Sequence, residues 1–426
     1  MPIGDIAPAL ALTIGAALIL LTAMFTPRRL QRICAALAVA VLLVAAGLAV
    51  HLQMTAGPTL SFSGTWALDD LTAWSGYAIL GTTALVVLLS PAWFESDRRH
   101  GEWYVMLLLS ALGAVLMAGA ADLMELMVAV LLSSVTGYTL ASFHRASRMC
   151  AEAGAKYYFI GALANPLMFL GIVFLYALAA DTDYGALAAR LKGGGADPVV
   201  LAAGLGLLLA GLAFKLGAVP GHPWVPDVAQ ASPAPASAFL TIVPKIGALV
   251  ALYRIFGLVP GEWLHWRWVP AVMAALTMSL GNLAALWQKD VRRLIGWSSV
   301  SQTGYGLLAV VAVGVSPIDR QALILFIFAY ALGNLAAFGV VTSLRGRTEL
   351  ADYQGLLHQR PWHAAALTLA FLSLTGIPPL IGFTAKLALF GAAIKAGFTW
   401  LAILAVVNTV VSLFYYLRVI GAMFLG

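Results

Sequence analysis

Three lysines stand where a strongly apolar sequence has least room for charge. Lys215 and Lys245 share the stretch AGLAFKLGAVPGHPWVPDVAQASPAPASAFLTIVPKIGALVALYRIF, Ala210 to Phe256, and Lys386 follows Gly376-Ile377-Pro378-Pro379. An ammonium inside membrane-length apolar sequence costs roughly 2.5–3.5 kcal/mol on insertion scales, so such groups usually face a wet or paired interior. The chemistry open to a row of them is reversible protonation, because lost hydration disfavours the charged amine. The structural alternative is that each lysine snorkels to an interface or neutralises a neighbour.

The prolines beside these lysines favour the first reading. Pro220 and Pro223 flank Gly221-His222, and Pro378 and Pro379 form the second break. Proline removes a backbone donor and interrupts the helix ladder. The freed groups are tolerated at membrane depth only where protein or a water-lined cavity surrounds them. Lys215 lies just over a turn before Pro220 and Lys386 two turns after Pro379, where water could meet a titratable group. Imidazole in general titrates near neutrality, so His222 reads as either a proton relay or a group fixing the break. Asp227, in Trp224-Val225-Pro226-Asp227, reads as an N-cap or a loop-fixing acceptor.

Other polar residues keep two readings each. Lys156 opens the sixth apolar run, either as an anchor at the basic face or as a member of the path. Glu125, with Asp122 at the start of the fifth run, either pairs with a lysine or serves as a hydrated cap. Asn165, Asn282, Gln302, Tyr305, Asn334 and Asn408 either hold water between lysines or bind helix to helix.

The elements that must position these groups are membrane helices. The chain of 426 residues is 62% hydrophobic and 10% charged, with a mean hydropathy of +0.94. A soluble domain carries about 25% charged residues, which excludes one here. Nucleic-acid binding has no support despite the formal charge of +6. Runs long enough to cross about 30 Å of hydrocarbon fall near 5–25, 31–52, 70–91, 103–120, 123–143, 155–180, 199–219, 234–256, 269–287, 292–314, 318–343, 363–396 and 399–421. These thirteen spans, two of them interrupted, predict an all-α polytopic membrane protein. The first span reads as retained, since no basic n-region precedes it.

With the N-terminus outside, alternate loops collect the basic residues. The cytoplasmic set is Arg28, Arg29, Arg32, Arg98, Arg99, Arg145, Arg148, Lys289, Arg292, Arg293, Arg345, Arg347 and Arg360. Opposite loops hold only Arg190, Lys192, Arg267, Arg320 and Lys395. That asymmetry supports both the span count and the orientation. The longest polar connection, Ala180 to Pro198 with Gly193-Gly194-Gly195, reads as an external loop.

The two lysine-bearing, proline-interrupted spans, seventh and twelfth, stand five helices apart. This predicts three N-terminal helices over 1–102 and two related five-helix units over 103–256 and 257–426, the inverted-repeat pattern of transporters. No enzyme constellation is visible: no CxxC, no paired histidines, no phosphate loop. Cys34 and Cys150 read as free thiols.

With these residues in place, the chain resembles the antiporter-like membrane subunits of respiratory complex I over nearly its whole length. The motifs that carry the resemblance are the Ala210–Phe256 stretch, GNLAALWQKDVRRLIGWSSVSQTGYGLLAV, FAYALGNLAAFGVV, DYQGL, LTGIPPLIGFTAK and LFYYLRV. The resemblance implies two inverted five-helix bundles with broken seventh and twelfth helices, translocating protons in a bacterial inner membrane. It implies a subunit of an NADH–quinone oxidoreductase that does no redox chemistry itself. Flavin, iron–sulfur clusters and quinone would sit on partner subunits. Lys215 matches the seventh-helix lysine, Lys245 that of the eighth, Lys386 that of the twelfth and Lys156 one of the sixth.

One departure stands out. The family carries a glutamate in the middle of the fifth helix, paired with the seventh-helix lysine, and here Leu131 occupies that position. Glu125 lies six residues earlier, about 9 Å along a helix axis. Either Glu125 substitutes from a shifted position or Lys215 lacks a carboxylate partner. The lysine path is shared with subunits of multisubunit sodium/proton antiporters and membrane-bound hydrogenases, which stand as one alternative to a proton-translocating oxidoreductase subunit. Leu131 supports the other, a non-conducting scaffold.

Overall fold

The computed structural model describes residues 3–27, 30–95, 100–194, 196–260, 265–315 and 318–425. Arg28, Arg29, Arg98 and Arg99 of the charge pattern, and Gly195, lie outside the described residues.

The chain folds as α1 (Ala7–Phe25), α2 (Arg32–Thr55), β1 (Thr59–Ser61), β2 (Trp66–Leu68), α3 (Asp70–Trp93), α4 (His100–Gly119), α5 (Leu123–Ala141) and α6 (Arg148–Ala179). There follow α7 (Tyr184–Lys192), α8 (Pro198–Leu216), α9 (Trp224–Ala231), α10 (Ala234–Gly257), α11 (Trp268–Leu286) and α12 (Val291–Ala312). The last are α13 (Ile318–Ser343), α14 (Leu356–Gln359), α15 (Pro361–Thr375), α16 (Ile381–Lys395) and α17 (Thr399–Phe424). Among the described residues, 11 helices are long and apolar enough to cross a membrane. The remaining spans of the sequence reading are α12, whose middle is Ser298-Ser299-Val300-Ser301-Gln302-Thr303, and the pair α15 and α16, each of 15 residues and too short alone.

Acidic and hydroxyl caps set the helix starts. Asp69, Asp122, Asp197 and Asp290 accept from the first-turn amides of α3, α5, α8 and α12, and Ser147 does so for α6. Two features depart from an all-helix chain with plain loops. Residues 59–68 make a short antiparallel hairpin. The Ala180–Pro198 connection, expected as an external loop, contains α7, because Tyr184, Leu187 and Leu191 align on one buried face and Asp183 caps its start.

Burial orders the helices. The most apolar window of α10 is 100% buried inside the protein, against 28% for α1 and for α2. So α10 is the central post, packed by α3, α4, α5, α8, α9, α12 and α13, while α1 and α2 present most of their surface outward. Glycines let the layers approach closely. A Cβ on Gly247 of α10 would lie 2.5 Å from the Ala114 carbonyl of α4, and one on Gly281 of α11 the same distance from the Ser301 amide of α12.

Two arginines pin the ends of α10. Arg254 donates to both Asp69 oxygens at 2.8 and 2.7 Å and to the Ala118 carbonyl at 2.9 Å, tying α10 to the start of α3 and the end of α4. At the other end, buried Arg292 donates to the Ala229 carbonyl at 3.0 Å, to Ser237 Oγ at 3.0 Å and to the Ser232 carbonyl, fixing the α9–α10 turn.

Candidate functional site

Lys215 sits one residue before the end of α8. That helix stops because Gly217 adopts φ 65°, which lets its amide and that of Ala218 reach back to the Phe214 and Ala213 carbonyls at 3.0 and 2.8 Å. The chain then passes through a cis Val219–Pro220 bond and restarts at α9. Lys215 is fully buried, and its Nζ donates to Ser134 Oγ of α5 at 3.2 Å.

Lys245 reaches from α10 to the other side of the same break. Its Nζ donates to the Ser299 carbonyl at 3.0 Å, Ser299 Oγ at 2.6 Å and Thr303 Oγ1 at 3.1 Å, all on α12. Thr303 in turn donates to the Leu216 carbonyl at 3.0 Å. A Cβ on Gly217 would lie 3.4 Å from Lys245 Nζ, so the amine lies against the turn that ends α8. The carbonyls of a helix C-terminus carry partial negative charge, and a cation there is favoured.

The second break repeats the arrangement. α15 ends at Gly376, φ 93°, with its amide and that of Ile377 donating to the Ser373 and Leu372 carbonyls, both at 3.0 Å. A cis Pro378–Pro379 bond follows. Lys386 folds back from α16 and donates to the Thr375 carbonyl at 3.1 Å, with Nζ 4.0 Å from the centre of the Tyr305 ring. The neighbouring Leu374 carbonyl accepts from Gln302 Nε2 at 2.9 Å.

Between Lys245 and Lys386 lie two small cavities. One of about 20 Å³ touches Lys245, Thr303, Gln302, Phe326 and Tyr330. The other, about 10 Å³, touches Gln302, Phe326, Tyr330, Ser373 and Lys386. A water needs roughly 10–15 Å³ by such a measure, so each is near the size of a single molecule. Tyr330 hydroxyl meets Ser299 Oγ at 2.8 Å and donates to the Thr241 carbonyl, and Asn334 donates to Thr241 Oγ1 at 3.0 Å. A polar seam therefore runs α5, α8, α12, α10, α13, α15, α16, with Gln302 and Tyr330 bordering both cavities.

Among the described residues, no ion pair includes Lys215, Lys245 or Lys386. The carboxylate pairing of Lys215 implied by the resemblance is not formed. Leu131 is 38% exposed and faces outward, and Ser134, one turn on, meets the amine instead. Glu125 is in the first turn of α5, nine residues before Ser134, about 14 Å along the axis. There its Oε2 is buried without a hydrogen-bond partner among the described residues.

The other candidates stand apart from the seam. Lys156, with its side chain 47% exposed, pairs with Glu152 and Asp227, both at 2.9 Å, as an anchor would. Asp227 also takes Arg293, so it is a loop-fixing acceptor, and the N-cap position of α9 belongs to Pro223. His222 lies in the first break with its ring centre 5.7 Å from that of Trp297 and Nδ1 buried without a partner among the described residues. Asn282 donates to Asn408 Oδ1 at 3.0 Å and accepts from Tyr415 at 3.0 Å, joining α11 to α17 as helix-to-helix glue. Ser134, Ser299, Thr303 and Tyr330 were not singled out by the sequence reading. The signal available was the i, i+3, i+4 spacing of Ser299, Gln302 and Thr303 within α12.

Comparison with known proteins places this geometry among relatives. The family model described as NADH:quinone oxidoreductase/Mrp antiporter, TM, matches residues 120–412. The chain is 43% identical over 415 residues to NADH-quinone oxidoreductase subunit N 1 of Streptomyces griseus, covering 96% of this chain and 86% of that one. Among solved structures, a chain of respiratory complex I from Thermus thermophilus is similar with a TM-score of 0.82 and 30% identity, covering 98% of this chain and 89% of that chain. A chain of the archaeal membrane-bound sulfane sulfur reductase shares the fold, with a TM-score of 0.90 at 23% identity and coverage of 99% and 88%.

Proposed function

This chain belongs to the family of NADH:quinone oxidoreductase and Mrp antiporter transmembrane proteins, and on that premise we propose that it is a proton-translocating membrane subunit of a complex-I-type NADH–quinone oxidoreductase. The names of its relatives and the length over which they match support that assignment over the sodium/proton antiporter and hydrogenase alternatives. In this reading the assembly lies in a bacterial inner membrane with the N-terminus of this chain outside. Flavin, iron–sulfur clusters and quinone are held by partner subunits, and this chain packs against other membrane subunits.

Protons move along Lys215, Lys245 and Lys386. The observation that carries the reading is the seam itself: three buried amines, each at a helix break or against one. Lys245 and Lys386 are joined through α12 and two cavities near the size of a water, and Lys215 is one residue from the Leu216 carbonyl that Thr303 holds. Two glycine-terminated breaks, each holding an amine against the end of a helix, support the division into inverted units over 103–256 and 257–426. Lys156, Glu125 and His222 lie outside the seam. In this reading they tune the ends of the path and do not carry the lateral transfer.

A scaffold role is favoured by one observation, the neutral hydroxyl that stands beside Lys215 in place of a carboxylate. Lys215→Ala in the assembled complex separates the two. The expected result is a several-fold fall in protons taken up per NADH oxidised, and unchanged uptake would leave this chain as a spacer.

A further inference from the structure

Two adjacent residues of α12 hold the ends of two different broken helices. Thr303 Oγ1 lies 3.0 Å from the Leu216 carbonyl at the end of α8, and Gln302 Nε2 donates at 2.9 Å to the Leu374 carbonyl at the end of α15. Both carbonyls belong to the last turn of a helix, where C=O groups lack intrahelical donors. Beside each stands an amine. Lys245 donates to the same Thr303 oxygen at 3.1 Å, and Lys386 donates at 3.1 Å to the Thr375 carbonyl, one residue from Leu374.

Thr303 has one hydroxyl proton and two carbonyls at 3.0 Å, those of Leu216 and Ser299. While Lys245 is an ammonium it donates to the Ser299 carbonyl at 3.0 Å and to the Thr303 oxygen itself. That leaves the hydroxyl proton for Leu216. An amine that has given up its proton exposes a lone pair, which accepts from the Thr303 or Ser299 hydroxyl. When Thr303 turns to it, Leu216 is released. The direction open to this hydroxyl thus depends on the charge on Lys245 and on whether the nearer Ser299 Oγ, at 2.6 Å against 3.1 Å for Thr303, takes the lone pair first. Gln302, in the same turn of α12, borders both the cavity at Lys245 and the one at Lys386.

We propose that Gln302 and Thr303 are positioning residues that couple the two breaks, so that the charge state of Lys245 is transmitted through one turn of α12 to the helix end that holds Lys386. The proposal rests on the lysine path above and adds to it that the two halves do not load independently. α12 is buried along nearly its whole length, and Gln302 and Thr303 are consecutive on it, so the two helix ends are tied to one stretch of backbone.

The test uses the assembled respiratory complex in membrane vesicles, with NADH oxidation and proton uptake measured together. Thr303→Val keeps shape and removes the hydroxyl, and Gln302→Met keeps length and removes the amide. Each is expected to lower protons moved per NADH at least twofold, while NADH oxidation in the presence of an uncoupler continues, and Thr303→Ser is expected to restore pumping. If either single variant prevents assembly, Thr303→Ala or Gln302→Leu replaces it. Normal pumping in the threonine and glutamine variants, with poor pumping in Lys245→Ala and Lys386→Ala, would overturn the coupling and leave the path standing. Normal pumping in the lysine variants as well would remove both.

Discussion

A buried ammonium is held by whatever acceptors surround it, and the three lysines differ sharply in theirs. Lys245 has three oxygens, Lys215 one hydroxyl, and Lys386 a carbonyl and the face of a ring. The ring matters because a desolvated cation over an aromatic face is worth about 2 kcal/mol, and 1.4 kcal/mol is tenfold in an equilibrium. Tyr305→Leu should therefore weaken the hold on the Lys386 ammonium by more than tenfold as an equilibrium factor, and proton uptake per NADH should fall several-fold. Tyr305→Phe keeps the face and gives up the hydroxyl's contacts, among them those with Ala405 and Thr409 at 3.4 and 3.2 Å and one with Asn282, so pumping should stay within twofold of the parent. Equal effects of the two substitutions would mean that the hydroxyl, not the ring, is what Lys386 depends on.

The helix breaks set the amines in place, and their geometry gives a second prediction. Gly217 has φ 65°, a region that costs an ordinary residue roughly 1–2 kcal/mol. A Cβ there would also lie 2.4 Å from Val225 Cγ2 and within 3.4 Å of Lys245 Nζ. Gly217→Ala should destabilise the subunit by about 2–3 kcal/mol and misplace the end of α8. Gly206→Ala, in the same helix with nothing near its Cβ, should be neutral or stabilising by up to about 1 kcal/mol. Thermal melts of the detergent-solubilised complex compare the two, and matching melts would show that α8 can end without the left-handed turn. The breaks were legible in the sequence because proline and glycine act locally, and so were the lysines, since charge in an apolar run stands out against its neighbours. The partners were not legible. Ser134 and Lys215 are 81 residues apart, and Lys245 and Thr303 are 58 apart. No local periodicity says which hydroxyl of which helix will face an amine. Leu131 shows the same limit from the other side, because matching a motif position does not say whether its side chain points in or out.

Across the whole molecule, the seam keeps its register only if α10 stays upright among seven neighbours, and the Arg254–Asp69 pair fixes one end of that post. Asp69 also caps α3, accepting from the Thr72 amide at 2.8 Å. Burial pushes its carboxyl up, but the two bonds and the charge of Arg254 outweigh that and hold it below the usual carboxylate range. A carboxyl depressed by folding contributes stability above its unfolded value, near pH 3.9, and that contribution is lost as pH falls through the lower folded value. Asp69→Asn keeps an acceptor for the α3 amide and leaves Arg254 without a counter-charge in a half-buried setting, a loss of about 2–3 kcal/mol at pH 7. The melting temperature of the solubilised complex should therefore drop by several degrees at pH 7, and the gap between parent and variant should narrow as the buffer is taken below about pH 4. Pumping should fall with it, although Asp69 touches none of the three lysines, because a tilted α10 moves Lys245 away from Ser299 and Thr303. A variant that melts lower yet pumps as well as the parent would show that the far end of α10 can loosen without disturbing the amine near its middle.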